Sequence, residues 1–586
     1  MNVEKVFDAR FASDVKELDS IPAGYINKTV CGCGLTSLAI EKEKGNTIIA
    51  VPSVDLVNNK VDQYPNERFS DELLGVTGDT DREMIERFVA ARPSRPYKIM
   101  VTYDSINKVK HLLPYSHLVI DESDRLLSWM PIKASSKKMS NVAVANEAMD
   151  VINNLLDIAE SYKDSVSFIS ATPVPIDYFK RDWMKQIDQI TYNWSKSITS
   201  QPILMERSFP LMALKDEIIF PLKRDGQVTI GGCTFKKVLV FFNSVEGVNQ
   251  LIEEAMLPLD ECGIKCGDSL KNATHTKVKR LTGCTGFPKY SFITSSAFSG
   301  SDIYDDEAMT IVMSNTKRNW QMIDLQTDLK QAISRQRKET NPNYGKYIFI
   351  YNQSVFKLSE NDLLGRISST RKRISDNIST LNESLAKKDA RYKSNLQSFC
   401  SDSDFVAYTI LKDNKWTINE MRFSSDEYFI TNTRKAYTKG FQLMNDVNPI
   451  VVEAPKNDNP LSYTNIAEKY QLSLDGVDVT WTEDELHCKH YITISTNFQR
   501  YGKIESNQSR AKKLANATAD LQSAKSLAES TFTLGKRYTA TDAKEMLQQI
   551  YDELGIQRKA QTKDLYELFD SVSKKKINGN NYIILD

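Results

Sequence analysis

Asp121, Glu122 and Asp124 stand together in the segment L-V-I-D-E-S-D-R-L, Leu118 to Leu126. Three apolar residues run straight into the carboxylates, so the segment reads as a buried strand whose carboxyl end carries chemistry. Carboxylates so placed suit Mg²⁺, a hard cation that takes oxygen ligands and bridges phosphates. Standing alone, the same letters describe an exposed acidic turn equally well, so the reading depends on what surrounds them.

A partner for these carboxylates lies upstream. Tyr25 to Val30 reads as a strand, and C-G-C-G-L-T-S-L-A-I then opens a helix through Lys44. Strand, glycine loop and helix form a phosphate loop. Gly32 and Gly34 let backbone N–H groups approach a phosphate, and the helix N-terminus adds partial positive charge. Thr29 to Thr36 fits G-x-x-x-x-G-K-[ST] with two departures. Thr29 stands where the first glycine belongs, and Leu35 where the lysine belongs. The second departure removes the cation that meets the β- and γ-phosphates. Lys28, immediately before the loop, is a candidate replacement, because a flexible point charge needs little geometric precision. The side chains of a strand alternate in direction, so Lys28 has two possible faces.

The elements that must position these residues follow in order. Thr47 to Val51 is a strand running into P-S-V-D-L, with Ser53, and Lys98 to Val101 is another ending in T-Y-D-S, with Thr102. Asn141 to Tyr162 carries Val144, Val151, Ile152, Leu155, Ile158 and Ala159 at helical spacing. Val166 to Ile169 is a strand ending in Ser170, Ala171 and Thr172. Strands alternating with helices indicate an α/β, doubly wound parallel sheet with its ligand at the strand carboxyl ends.

In the second half, Lys237 to Phe242 is a strand followed by Asn243, then a helix with Val248, Leu251 and Ile252. Tyr290 to Ile293 leads into T-S-S-A-F-S-G-S-D-I, and Thr310 to Met313 is a further strand. Beyond it, Q-A-I-S-R-Q-R holds Gln331, Arg335 and Arg337. By itself that is a solvated basic helix face.

This succession resembles superfamily 2 (DEAD/DEAH-like) helicases and translocases as far as Tyr351. The lysine-free loop resembles divergent phage-encoded members. Thr294, Ala297, Gly300, Asp302 and Ile303 match the family's T-x-x-A-x-x-G-x-D-[IV] pattern. The resemblance implies two tandem RecA-like domains using ATP and Mg²⁺. Thr36 and Asp121 would hold the metal, and Glu122 would activate the attacking water. Lys28, Thr29, Gly32, Gly34, Thr36, Gly300, Asp302 and Gln331 would bind the nucleotide. Ser170 and Thr172 would couple nucleotide state to the nucleic acid, which Ser53, Thr102, Asn243 and Thr294 would contact. Arg335 first, and Arg337 second, would meet the negative charge of the transition state, so that hydrolysis waits on domain closure.

The chain has 586 residues, 41% hydrophobic and 26% charged, a globular composition for several domains. Lys plus Arg and Asp plus Glu both count 76, so any nucleic-acid surface must be local. The first residues, M-N-V-E-K-V-F, have no apolar signal core, and no run is long enough to span a membrane. Eight unevenly spaced cysteines make no disulfide framework, which fits a reducing cytoplasm, that of a bacterial host if phage-encoded. Cys262, Cys266, His275 and Cys284 lack the two tight pairs of ordinary zinc sites, and His487, Cys488 and His490 are too sparse.

Leu364 to Leu396 reads as polar helices, either a solvated pair or a basic rail for nucleic acid. Glu453 to Pro460 is a linker, and Tyr463 to Leu472, Thr541 to Leu554 and Thr562 to Val572 are short helices. K-K-K-I-N-G-N-N-Y-I-I-L is strand, Asn-Gly turn, strand, giving a winged-helix-like end. The expected division is 1–205 and 206–355 for the RecA-like domains, 356–452 helical, and 453–586 helical and winged-helix-like. The function expected is an ATP-dependent helicase or translocase in phage DNA replication or recombination. DNA is the expected partner, RNA a possible one, with replication or virion proteins beside them. The alternative is a catalytically impaired, helicase-like DNA-binding or virion/assembly scaffold.

Overall fold

The computed structural model describes residues 2–64, 73–127, 142–197, 200–267, 270–298, 302–354, 356–387, 391–400, 402–412, 415–438 and 449–453, and at the C-terminal end 523–554, 556, 559–569, 571–577 and 580–585. Gly300, the helix expected at Tyr463 to Leu472, and His487, Cys488 and His490 lie outside the described residues.

Strands covered on both faces are mostly apolar. Thr47–Val51, Lys98–Thr102, Val166–Ser170 and Met309–Met313 are buried at every residue, and they occupy interior positions in two sheets. The first sheet contains β1 (Asn2–Phe7), β2 (Gly24–Asn27), β3 (Thr47–Val51), β4 (Leu73–Val76), β5 (Lys98–Thr102), β6 (His117–Asp121), β7 (Val166–Ser170) and β8 (Gln189–Trp194). Its order is β1-β8-β2-β7-β6-β3-β5-β4, and every neighbouring pair is parallel. Alternate residues of β3 face opposite ways. Ile48 and Ala50 enter one core with Leu155 and Phe168, while Ile49 and Val51 enter the other with Leu35 and Leu38.

β9 (Gln201–Glu206) opens the second sheet, and a small hairpin, β10 (Val228–Ile230) and β11 (Cys233–Phe235), lies outside it. The sheet continues with β12 (Val238–Phe241), β13 (Cys262–Lys265), β14 (Lys279–Arg280), β15 (Tyr290–Ile293), β16 (Met309–Met313) and β17 (Lys346–Tyr351). β18 (Thr409–Lys412) and β19 (Lys415–Ile418) pair in the helical insert, and β20 (Ile450–Val451) returns to the second sheet. The order is β14-β13-β15-β12-β16-β17-β9-β20, again parallel throughout. Two boundaries are thereby corrected. The expected limit at 205 cuts β9, whose Ile203 and Met205 belong to the second core. The helical segment expected to end at 452 contributes β20 to that same sheet.

The helix Glu360–Ala386 packs Ile374, Ile378 and Leu381 on Phe405 and Trp416 in a small core of its own. Arg371 pairs with Glu420 and Glu427, and Arg373 with Asp402 and Asp404, so these two cations of the expected basic rail are neutralised within the insert. The helix Glu420–Tyr428 sends Met421 into the first domain's core, and Tyr437 enters the second's. At the C-terminal end, β21 (Arg537–Thr539), β22 (Val572–Ile577) and β23 (Asn580–Leu585) form an antiparallel sheet against the helix Ala540–Glu553. The helix expected over Thr562 to Val572 is only a short turn, Thr562–Asp564, and one helical turn, Leu565–Leu568. Phe569 is already extended there, and Val572 begins β22.

Candidate nucleotide cleft

The strand order does the first work of assembly. β2, β7 and β6 are consecutive neighbours, so the loops leaving their carboxyl ends lie side by side. That brings Lys28, Ser170 and Asp121 together from distant parts of the chain. Lys28 Nζ lies 3.0 Å from Asp121 Oδ1 and 3.7 Å from Glu122 Oε1, with Lys28 only 4% exposed. Burial pulls the Lys28 pKa down, but the Asp121 and Glu122 carboxylates outweigh it and hold the ammonium well above an ordinary lysine. The pleat has turned this side chain toward the carboxylates. The Thr36 hydroxyl donates to Asp121 Oδ2 at 2.6 Å. A hydroxyl and a carboxylate so paired, both hard oxygen donors, fit the Mg²⁺ site of a phosphate loop.

Two residues hold strained backbone here. Thr29, at the place of the first glycine, has φ 50°, and Glu122 has φ 53°. Left-handed backbone in non-glycine residues gathers at functional sites. Thr29 turns its hydroxyl to the Tyr192 carbonyl at 2.6 Å, so its side chain braces the loop from β8. Tyr103 donates to the carbonyls of Asp121 and Glu122 at 2.6 and 3.2 Å, fixing the strand end beneath the carboxylates.

The second domain closes the cleft. Gln331 donates to Glu122 Oε2 at 2.6 Å, and its own Oε1 accepts from Arg335 Nη2 at 2.7 Å. Arg335 lines the cleft, but its guanidinium is held by its own helix, whereas Arg337 reaches across. Arg337 Nη1 donates to the Cys31 carbonyl at 3.2 Å and Nε to Asp302 at 2.9 Å. Burial raises the Asp302 pKa, but Arg337, Arg335 and Lys60 hold it down at about 2. Arg125 pairs with Asp328 at 2.6 Å, and Arg10 with Glu339 at 2.8 Å, both across the cleft. The cavity is about 560 Å³, lined by the phosphate loop, Lys60, Asp121 and Glu122 from one side and Asp302, Arg335 and Arg337 from the other.

Gly32 sits directly under Arg337, with φ 76°. A Cβ there would lie 2.2 Å from Arg337 Nη1. Gly32→Ala should therefore displace the arginine and strain the loop together. Turnover should fall ~10- to 100-fold, the scale of a misplacement near 1 Å. Steady-state hydrolysis, with a thermal melt to show folding, checks this.

Ser170 and Thr172, the residues expected to couple, meet the carboxylate segment as well. Ser170 donates to Asp124 Oδ1 at 2.6 Å and accepts the Thr172 N–H at 3.0 Å. Asp124 Oδ2 is buried without a hydrogen-bond partner among the described residues. Burial pushes the Asp124 pKa up to about 6, with Glu122 adding to it and Arg125 and Ser170 opposing. The native state keeps this proton to higher pH than the unfolded chain does. Stability should fall as pH rises from about 4 to about 6, and the loss is complete above that window. Asp124→Asn should flatten this slope, gaining up to ~3 kcal/mol relative to wild type between pH 4 and pH 8. Thermal melts of both proteins across that range check it.

The four expected nucleic-acid residues are less uniform. Ser53 caps the helix Val54–Gln63, and Thr102 is buried with its hydroxyl on Ser105. Thr294 is buried at the end of β15. Asn243 is half-buried at the end of β12, its Oδ1 accepting from the Ser295 hydroxyl at 2.6 Å. Reading the sequence missed Lys60, a half-buried lysine lining the cleft from the helix Val54–Gln63. Burial lowers its pKa, with Asp302 and Asp121 opposing. Its position about two helical turns beyond Ser53 was the available signal. Among the described residues no group of three or more His, Cys, Asp or Glu is placed to hold a metal ion. No helix of the described residues is long and apolar enough to cross a membrane.

Two parallel eight-stranded sheets face one cleft, with the glycine loop and carboxylates on one and two arginines on the other, an α/β fold of two tandem domains. No family model and no curated protein matches the sequence. Among solved structures, the chain is similar to Mss116p bound to ssRNA and AMP-PNP, at 12% identity and TM-score 0.34, over 67% of this chain and 84% of that one. It is also similar to Mycobacterium smegmatis helicase Lhr bound to ssDNA and AMP-PNP, at 14% identity and TM-score 0.35, over 66% of this chain and 48% of that one. For RecG bound to a three-way DNA junction the values are 13% and 0.33, over 57% and 40%. The chain thus spans about half of the Lhr chain or less of the RecG chain.

Proposed function

We propose that the chain is an ATP-driven nucleic-acid helicase or translocase, and that Lys28 takes the place of the phosphate-loop lysine. The observation that carries this reading is the Lys28 ammonium, buried 3.0 Å from Asp121 and facing the cleft that Arg337 enters from the other domain.

In this reading Lys28 leaves the carboxylates for the terminal phosphates, and Gly32 and Gly34 allow the loop backbone to approach them. Thr36 and Asp121 would hold a Mg²⁺ ion, which would supply positive charge to the phosphates. Glu122, freed from Lys28 and Gln331, orients the attacking water and takes its proton. Arg337 and Arg335 meet the developing negative charge. Ser170 links that event to the strand end through Asp124. The setting we propose is phage DNA replication or recombination, with DNA as the substrate.

Coupling is the testable core of this reading. Affinity for a single-stranded oligonucleotide should differ at least ~tenfold between a non-hydrolysable ATP analogue and ADP, a coupling of about 1.4 kcal/mol. Equal affinity in the two states overturns the motor.

A further inference from the structure

We propose that Trp320, with Arg318 over its ring, is a stacking platform for a base of single-stranded nucleic acid. The inference rests on the motor reading above and names a contact it leaves open. Trp320 is 61% exposed, large apolar surface for a residue that usually buries its indole. The Arg318 guanidinium lies 5.5 Å from its ring centroid, and the neighbouring Lys317 ammonium lies 4.0 Å from that of Phe209. Ser314 to Ile323 contains these two cations and no carboxylate, so the surface is complementary to a polyanion. Aromatic rings interleaved with cations are how proteins hold single strands without reading their sequence.

The platform is also fixed in place. Asn243 donates to the Trp320 carbonyl at 2.7 Å while its Oδ1 receives Ser295, so the loop is fastened to the ends of β12 and β15. Asn315 donates to Gln321 Oε1 at 3.1 Å, the Gln321 N–H donates to the Arg318 carbonyl at 2.9 Å, and the Ile323 N–H donates to Ser314 Oγ at 3.0 Å. A ring held on a braced loop loses little freedom when a base stacks on it. β15, β12 and β16 are neighbours, so Asn243, Thr294 and this loop share one carboxyl edge of the second sheet. Trp320 does not line the nucleotide cleft.

The test is equilibrium binding of labelled twenty-base oligo-dT and oligo-U to the full chain, as wild type, Trp320→Ala and Trp320→Tyr, over a series of salt concentrations. Trp320→Ala should weaken binding of the preferred polymer roughly 5- to 100-fold, and Trp320→Tyr should restore most of it. The salt slope should be unchanged in Trp320→Ala, because a stacking contact releases no counterion. Melting temperatures should agree among the three, since the ring is exposed. If wild type binds and Trp320→Ala binds equally well, the platform is wrong and the motor reading stands. If wild type binds neither polymer, both fall.

Discussion

Glu122→Gln should purify as a folded protein and hydrolyse ATP at least ~100-fold more slowly than wild type, the lower bound for loss of a positioned general base. The substitution is isosteric, and the carboxamide oxygen can still accept from Gln331, which reaches Glu122 at 2.6 Å. What is lost is the basic oxygen that takes the water's proton. Nucleotide binding should survive, because Lys28, Thr36 and Asp121 are untouched. Asp121→Asn should differ. It weakens the metal site and removes the nearer of the two charges paired with Lys28, so binding and turnover should fall together. Turnover beside a nucleotide titration separates the two variants, and wild-type turnover in Glu122→Gln removes that residue from the role.

Lys28→Met carries the second large effect. Methionine keeps most of the stem's packing and deletes the charge. ATP affinity or turnover should fall by ~1.5–3 kcal/mol, the worth of a hydrogen bond to a charged group. Stability should fall as well, because Asp121 and Glu122 would be left buried without their cation, and breaking such a pair costs about 3–5 kcal/mol. Saturating ATP analogue in the folding assay keeps the comparison on folded protein. The reciprocal variant is equally informative. Leu35 is 1% exposed and packs with Cys33, Leu38 and Ala39 in the core beneath the loop. A lysine there would have to bury its ammonium, so Leu35→Lys should destabilise the chain and add no hydrolysis. A silent Lys28→Met together with hydrolysis gained in Leu35→Lys would identify a disabled motor.

The elements easiest to read from the sequence were those whose two faces are both covered. β3 and β5 announce themselves as unbroken apolar runs, I-I-A-V and I-M-V, and candidate site residues follow where such runs stop. The missed strands are of a different kind. β1 is an edge strand, exposed at four of its residues and buried at none, so N-V-E-K-V-F carries no core signature. β9 begins at an exposed Gln201 and holds Pro202, a weak strand signal that its place between β17 and β20 overrides. In the cleft, the structure brings together Asp121, Glu122, Thr36 and both arginines, which residue types and order single out. The direction of Lys28 was open, because it depends on the pleat at the end of β2. The preference between the arginines was also beyond the letters. Arg335 and Arg337 lie just past the helix Asp328–Ile333, and only the loop's path decides which one overhangs Gly32. Contacts across the cleft, such as Cys284 Sγ to Asn59 Oδ1 at 2.7 Å, need the closed pair of domains to exist at all.

ATP hydrolysis by the full chain with Mg²⁺, measured without nucleic acid and then with single- and double-stranded DNA and RNA, tests the motor itself. Turnover should rise when one of these polymers is added and disappear in Glu122→Gln. ATP bound by the wild type, yet hydrolysed no faster than by Glu122→Gln with every polymer, would contradict it and leave a nucleotide-binding scaffold.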